Sequence, residues 1–534
     1  MSFDLSVVQA AHELSQYVKE NASQYHHSRP VAVSRCSLSL PNETRHEFDV
    51  VYGLKDLPLI SAYTQSSLLM TGGTDIGKTT FAKLIMNGLL GPEEVGWHRI
   101  DVDLDFGADM YADKDFSVLK QGKKISEGFY SPVGFLKLPG LIADEINRTH
   151  AKIGNKLLHW FDKDMSMPDG SRVKLGYLYD GADTYQFQIA AINEGEEYKG
   201  TFEVDKALRR RMIIELPMDR FPLTDLDRRL MKEEGSKKIE LRNKQNNIEK
   251  ILEIYKAVEV IPFHPTAELF HAYLEAFDYC KHSPSGEKGE VPEKNGSRRH
   301  ICDQPIEIGG QRVAGDAVMS CNLLKMFVNE MCPHVRALSP GVARNLSNVA
   351  RGFALLRATK FVEMLSGYLA GEYEHNLSYR LTEPDTFTDS LQRYTGRITI
   401  TGMDLARAAA EKYVRELEVQ VADIESAVPF VGFSKLGLSF PWIAKAHQGS
   451  RFESINSFVS QAKGKFEEGL AIEQLADLKS ILSGNAPEST IREIKEHCDF
   501  ENPWLWKVLR TYLERDPAEV AGKRKLRVLQ IYGH

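Results

Sequence analysis

The chain has 534 residues and an apolar fraction of 42%, which is enough for several packed cores and excludes wholesale disorder. Its formal charge of −7 argues against a dedicated duplex-DNA binder. It has no apolar run long enough to cross a bilayer, no basic-then-apolar leader and only six cysteines, so the expectation is a cytoplasmic protein with no membrane span and no disulfide scaffold.

In chain order, Leu5, Val8, Ala11, Leu14 and Val18 recur at helical spacing, so residues 1–45 read as one amphipathic helix followed by a polar segment. From 46 to 222, short apolar runs alternate with helical stretches. SSLLMTGG, HRIDVDL, PGLIADE, FQIAAIN and MIIELPM read as strands buried on both faces, which implies a mainly parallel sheet with helices on both sides. Residues 223–415 read as helical, interrupted at 281–311 by a Gly-, Pro-, Ser- and charge-rich exposed loop. The remainder, 416–534, reads as a mostly helical accessory domain with Trp442, Trp504 and Trp506 as core anchors.

GGTDIGKT, from Gly72 through Gly73, Thr74, Asp75, Ile76, Gly77 and Lys78 to Thr79, with Thr80 following, fits G-x-x-x-x-G-K-[ST] between a strand and a helix. Glycines let the backbone curl so that its N–H groups face phosphate oxygens, and the helix N-terminus adds positive potential. Lys78 would reach the β- and γ-phosphates of ATP, and Thr79 would ligate Mg²⁺. About 65 residues on, the apolar strand of LPGLIADEINR ends in Asp144 and Glu145. Asp144 suits the Mg²⁺ site and Glu145 suits the base that orients and deprotonates the attacking water. FQIAAIN ends in Asn193, which would hold the same water. EVDKALRRRMIIELP sets Arg209, Arg210 and Arg211 before the last strand, where an arginine offered to a neighbouring subunit would neutralise charge on the γ-phosphate; spacing does not choose among them.

Together these segments resemble the AAA+ superfamily and, within it, the MoxR-like ATPases. The nearest signature is ADEINR at 143–148, followed by a candidate hairpin, MSMPDGSRVKLG, at 165–176. The resemblance implies an α/β fold: a P-loop core with a parallel five-stranded sheet, a helical lid over 223–415 and a ring, often a hexamer. It also implies a chaperone-like role on a protein client, such as a von Willebrand A-domain partner. It places the arginine finger at Arg211, with Arg210 next. The family's lid helix opens Ser-Pro-Arg. Here Ser339-Pro340 precedes Gly341, and Arg344, one turn on, is the candidate sensor-2 residue. Some relatives carry a cysteine cluster before this segment, which makes Cys280, Cys302, Cys321 and Cys332 tentative Zn²⁺ ligands; with no C-x-x-C pair, scattered thiols are the alternative. A GTP- or ATP-driven nucleic-acid motor of the McrB type and a non-hydrolysing nucleotide-gated scaffold are the rival functions.

Overall fold

A computed structural model describes residues 4–39, 45–101, 112–114, 116–121, 130–148, 157–168, 170, 172–181, 183–194, 204, 206–234, 240–276, 306–308, 311–313, 335–336, 340–370, 379–381, 386–438, 450–469 and 489. The chain divides into two compact units, one from residues 1–261 and 348–417, the other from 262–347 and 418–534.

In the first unit, helix α1 (Leu5–Asn21) starts at Asp4, whose carboxylate accepts the Ser6 N–H, and buries Val8, Ala11, Leu14 and Val18 as the periodicity predicts. The segment after it corrects the sequence reading. Instead of a polar coil it forms β1 (Pro30–Ser39), antiparallel to β2 (Arg45–Gly53) with Cys36 opposite Phe48. Past an irregularity between Pro30 and Ala32, Ser34, Cys36 and Leu38 are buried, whereas Val33 and Arg35 are exposed; this period-2 pattern belongs to a sheet with one wet face. The polar residues that alternate along both strands hide that pattern in the sequence. Helix α2 (Asp56–Tyr63) follows.

The five strands expected from the apolar runs all form: β3 (Leu68–Thr71), β4 (Trp97–Asp101), β7 (Gly140–Asp144), β12 (Phe187–Ala191) and β13 (Ile214–Pro217). All pairings are parallel, in the order β13-β3-β12-β7-β4. Every residue of β3, β7, β12 and β13 is buried, as strands covered on both faces require. Counted along the chain, the five run 5-1-4-3-2. The first therefore lies between the fourth and fifth, and the fourth beside the third. This is a five-stranded parallel α/β sheet, as expected from the sequence, and it brings the C-terminal ends of β3, β7 and β12 to one edge, where ligands of open parallel sheets bind.

Around the core, α3 (Lys78–Leu90) buries Phe81, Leu84, Ile85 and Leu89. Short pairs β5 (Ala112–Lys114) with β6 (Tyr130–Pro132), β8 (Asp164–Ser166) with β9 (Arg172–Lys174), and β10 (Tyr177–Tyr179) with β11 (Asp183–Tyr185) are antiparallel. The β8–β9 pair is the expected hairpin at 165–176. A five-residue helix, α4 (Phe116–Lys120), and a six-residue helix, α5 (Lys206–Arg211), precede α6 (Asp225–Glu234) and α7 (Ile248–Glu259).

The second unit contains α8 (Pro265–Ala276), and α9 (Pro340–Ala370) begins in it. The 281–311 insertion lies outside the described residues up to 305. Its end carries a short antiparallel pair, β14 (Ile306–Ile308) and β15 (Gln311–Val313), instead of loop alone. Residues 335–336 pair as a strand, β16, inside the 223–415 stretch read as helical. Strand β17 (Tyr379–Leu381) joins β2 in the first unit. The first unit also holds α10 (Phe387–Thr395) and α11 (Gly402–Arg415), within the stretch read as helical. There the buried Lys360 of α9 pairs with Asp56 at 2.9 Å, and Asp56 also accepts the Gly53 N–H at 2.7 Å, so neither charge is left uncompensated. β18 (Gly437–Leu438) pairs with β16, and α12 (Val421–Val431) and α13 (Arg451–Gly469) complete the second unit. Trp442, Trp504 and Trp506 lie outside the described residues. No helix among them is long and apolar enough to cross a membrane.

Candidate active site

The loop between β3 and α3 carries the turn geometry that its glycines predict. Gly77 has φ 80°, and a Cβ there would lie 3.0 Å from the Tyr25 ring; Gly72 has φ 140°, and a Cβ would lie 2.9 Å from Asp219 Oδ1. Asp75, at φ 64°, takes the left-handed conformation that Asp tolerates better than most residues. The Tyr25 hydroxyl donates to the Ile76 carbonyl at 3.0 Å, and both oxygens of Asp219 accept the Gly73 N–H, at 3.1 and 2.9 Å. Thr74 and Asp75 are exposed at the tip, and Thr79 and Thr80 sit in the first turn of α3. No side chain caps that turn, which leaves its N–H groups and the positive end of the helix for an anion.

Lys78 is 7% exposed, and its ammonium donates to the Gly72 and Gly73 carbonyls at 3.0 and 2.5 Å. Burial pushes it below the ordinary lysine range, while Asp219, Asp144, Glu145 and Asp75 pull the other way. A buried cation whose hydrogen-bond partners among the described residues are carbonyls, at the mouth of an uncapped helix, is a ready site for phosphate oxygens.

Asp144 ends β7 and is 3% exposed. Its Oδ2 accepts the Thr79 hydroxyl at 2.7 Å, and its Oδ1 accepts the Glu145 N–H at 3.1 Å. Hydroxyl and carboxylate oxygens in contact form a hard-oxygen donor set that fits Mg²⁺. Glu145 has φ 51°, a conformation that costs free energy in a non-glycine residue and that turns its side chain away from the strand register. Its carboxylate meets the Asn193 amide at 3.3 Å and Arg148 at 3.0 Å. Asn147 fastens the neighbouring strand end, donating to the Asn193 carbonyl at 2.6 Å and accepting the Asn193 N–H at 3.4 Å. The Glu194 N–H donates to the Gly72 carbonyl at 3.2 Å, tying the end of β12 to the loop.

Four residues here carry functional geometry that the sequence reading passed over: Arg99, Arg148, Asp219 and Tyr25. Arg99 lies on β4 with Nε 3.2 Å and Nη2 3.0 Å from Asp144 Oδ2. An arginine inside the apolar run HRIDVDL was a signal in the sequence, since a guanidinium among apolar neighbours calls for a carboxylate partner.

The three arginines before β13 part company. Arg209 pairs with Glu194 and, at 2.8 Å, with Glu215, which is 1% exposed. Arg211, which the resemblance ranks first as finger, donates to Asp162 at 2.7 Å and to the Ala207 carbonyl at 3.1 Å. Arg210 is exposed and pairs with no acid among the described residues. Arg344 is exposed in the first turn of α9, in the second unit. Cys280, Cys302, Cys321 and Cys332 lie outside the described residues, among which no cluster of metal-ligating side chains occurs.

No protein-family model matches this sequence, and no curated protein does. Among solved structures, the chain aligns with a candidate ATPase from Cytophaga hutchinsonii at 13% identity, over 86% of this chain and 96% of that one, with a TM-score of 0.47. It aligns with NtrX from Brucella abortus in complex with ADP at 17% identity, over 40% of this chain and 42% of that one, with a TM-score of 0.22. With NtrX in complex with ATP the identity is 14%, the coverage 67% and 66%, and the TM-score 0.23. Likenesses this distant leave function to the geometry of the site.

Proposed function

We propose that the protein is a Mg²⁺-dependent ATPase of the AAA+ type that works as a ring and uses turnover to remodel a protein client. The observation that carries the hydrolytic reading is the convergence at one sheet edge of Lys78 and Thr79 at the start of α3, Asp144 and Glu145 at the end of β7 and Asn193 after β12, with Thr79 bonded to Asp144, Asp144 to the Glu145 N–H and Asn193 to Glu145. Lys78 and the α3 N-terminus would bind the phosphates. Thr79 and Asp144 would hold Mg²⁺, which supplies charge compensation between the β- and γ-phosphate oxygens. Glu145 would take the proton of the attacking water, and Asn193 would orient both. The ring reading, and with it the MoxR-like client, rests on the exposed Arg210, whose charge has no acid to serve among the described residues of its own chain.

Titration with ATP, with and without Mg²⁺, and steady-state turnover test this reading. Lys78→Ala should abolish binding or weaken it severely. Glu145→Gln should keep nucleotide bound while turnover falls by roughly 10²–10⁴-fold, as loss of a general base does. Unchanged affinity in the first variant, or normal turnover in the second, would overturn it.

A further inference from the structure

Resting on that reading, we infer that Arg99 is a built-in counter-ion for the Mg²⁺ carboxylate, and that it sets how strongly nucleotide binding depends on Mg²⁺. Asp144 is all but fully buried, and a carboxylate so placed needs compensation. Arg99 supplies it from the neighbouring strand, where β4 and β7 run in register with Arg99 opposite Ile142 and Asp101 opposite Asp144. The guanidinium approaches Oδ2 through two nitrogens, at 3.2 and 3.0 Å.

The choice of oxygen decides the direction of the effect. Oδ2 is also the atom that accepts the Thr79 hydroxyl, so it is the oxygen that would serve a cation held by Thr79 and Asp144. A guanidinium and a divalent ion sharing one oxygen repel each other, and the repulsion is strong where water is scarce. A second-shell group that merely oriented a ligand would raise metal affinity. Orientation of Asp144 has supports other than Arg99: its Oδ1 holds the Glu145 N–H, its Oδ2 holds the Thr79 hydroxyl, and its backbone pairs with Asp101 at the end of the β4–β7 ladder. What Arg99 adds is charge. It offsets the repulsion between Asp144 and an incoming polyphosphate when no metal accompanies it, and opposes the metal when one does.

The test is the ratio of nucleotide dissociation constants in EDTA and in saturating Mg²⁺, measured with a fluorescent ATP analogue on the full-length protein. In Arg99→Gln this ratio should rise about tenfold or more, the sum of weaker metal-free binding and a lower Mg²⁺ requirement for a lost charge beside a divalent ion. Arg99→Lys keeps the charge and should stay within about threefold of the parent, against the tenfold step that corresponds to 1.4 kcal/mol. A merely structural role would weaken both constants together and leave the ratio unchanged, which overturns the inference. So does a ratio that falls, which would make Arg99 an orienting group. If Arg99→Gln does not fold, Arg99→Lys decides through its half-saturating Mg²⁺ concentration: the inference requires it to remain near the parent value, and a change above about tenfold refutes it. A parent protein with no Mg²⁺-linked nucleotide binding would instead overturn the hydrolytic reading on which the inference rests.

Discussion

At the ends of β7 and β12, neighbouring functional groups hold one another; on the short helix before β13, three consecutive arginines go to three different environments. Asp144, Glu145 and Asn193 are tied together by their own backbone and by Asn147, so their placement follows from strand order. Arg209, Arg210 and Arg211 share composition and spacing, and differ only in which acids lie within reach: Glu194 and Glu215, none among the described residues, and Asp162. In the first region the backbone assigns the role. In the second the partner does, and a motif of identical residues carries no such assignment.

The largest expected effect would break this contrast outright. If Arg210 is the arginine offered to a neighbouring subunit, Arg210→Ala should bind ATP but lose roughly 10³–10⁵-fold in turnover, the usual worth of an arginine finger. Arg211→Ala, which gives up the Asp162 and Ala207 contacts within its own chain, should lose far less. Mixing Arg210→Ala with Lys78→Ala protein should restore turnover, because one offers intact phosphate loops and the other intact fingers, and the gain should increase with concentration. Equal loss in the Arg210 and Arg211 variants would mean that environment does not separate them. Turnover by dilute monomer as fast as by concentrated protein would remove the ring.

Next in size is Arg209, whose expected role is stability. Removing it leaves Glu215 buried without its cation, so Arg209→Met should cost about 2–4 kcal/mol in urea unfolding, in the range seen when one member of a buried ion pair is removed. Glu215→Gln in the same chain should recover most of that loss, because the charge that lacked a partner is gone. By contrast, Arg210→Ala should lie within about 0.5 kcal/mol of the parent, as exposed substitutions do. If Arg209→Met unfolded no more easily than Arg210→Ala, the pairing with Glu215 would carry no weight.

The legible parts of the molecule were those in which one residue type has one physical use. Continuous apolar runs gave the five strands because a strand covered on both faces admits little else, and Gly72, Gly77 and Lys78 announced the loop because only that turn needs them so spaced. The β1–β2 sheet escaped notice because one wet face dilutes its hydrophobic signal: Val33 and Arg35 point outward between Ala32, Ser34 and Cys36. Arg99, Asp219 and Tyr25 escaped because each acts across a long separation in sequence. Arg99 meets Asp144 45 residues away, and Asp219 meets Gly73 146 residues away. No local spacing encodes contacts that exist only once the strands are ordered.

The smallest effect sharpens the arginine side of the comparison, and it concerns the residue after Asp162. Lys163 adopts φ 58°, and its ammonium donates to the Gln65 carbonyl at 2.6 Å. Burial pushes it down to about 7, well below the ordinary lysine value. In the unfolded chain the group stays protonated to a much higher pH. Between about 7 and the ordinary lysine range the unfolded state therefore binds more protons than the folded one, and stability from this group rises with pH. Below pH 7 both states carry the charge, and the cost of enclosing it is fully present. Lys163→Met should accordingly stabilise the protein by roughly 1–2 kcal/mol at pH 6, and the advantage should shrink toward pH 10. Urea titrations of parent and variant at pH 6, 8 and 10 would show it. An advantage that grew with pH would reverse the sign. A variant that unfolded more easily at pH 6 would mean that the Gln65 contact outweighs the cost of burial. Because Lys163 adjoins the acid that holds Arg211, the same variant should leave ATP turnover unchanged if Arg211 is a structural arginine, and lower it if Arg211 is the finger after all.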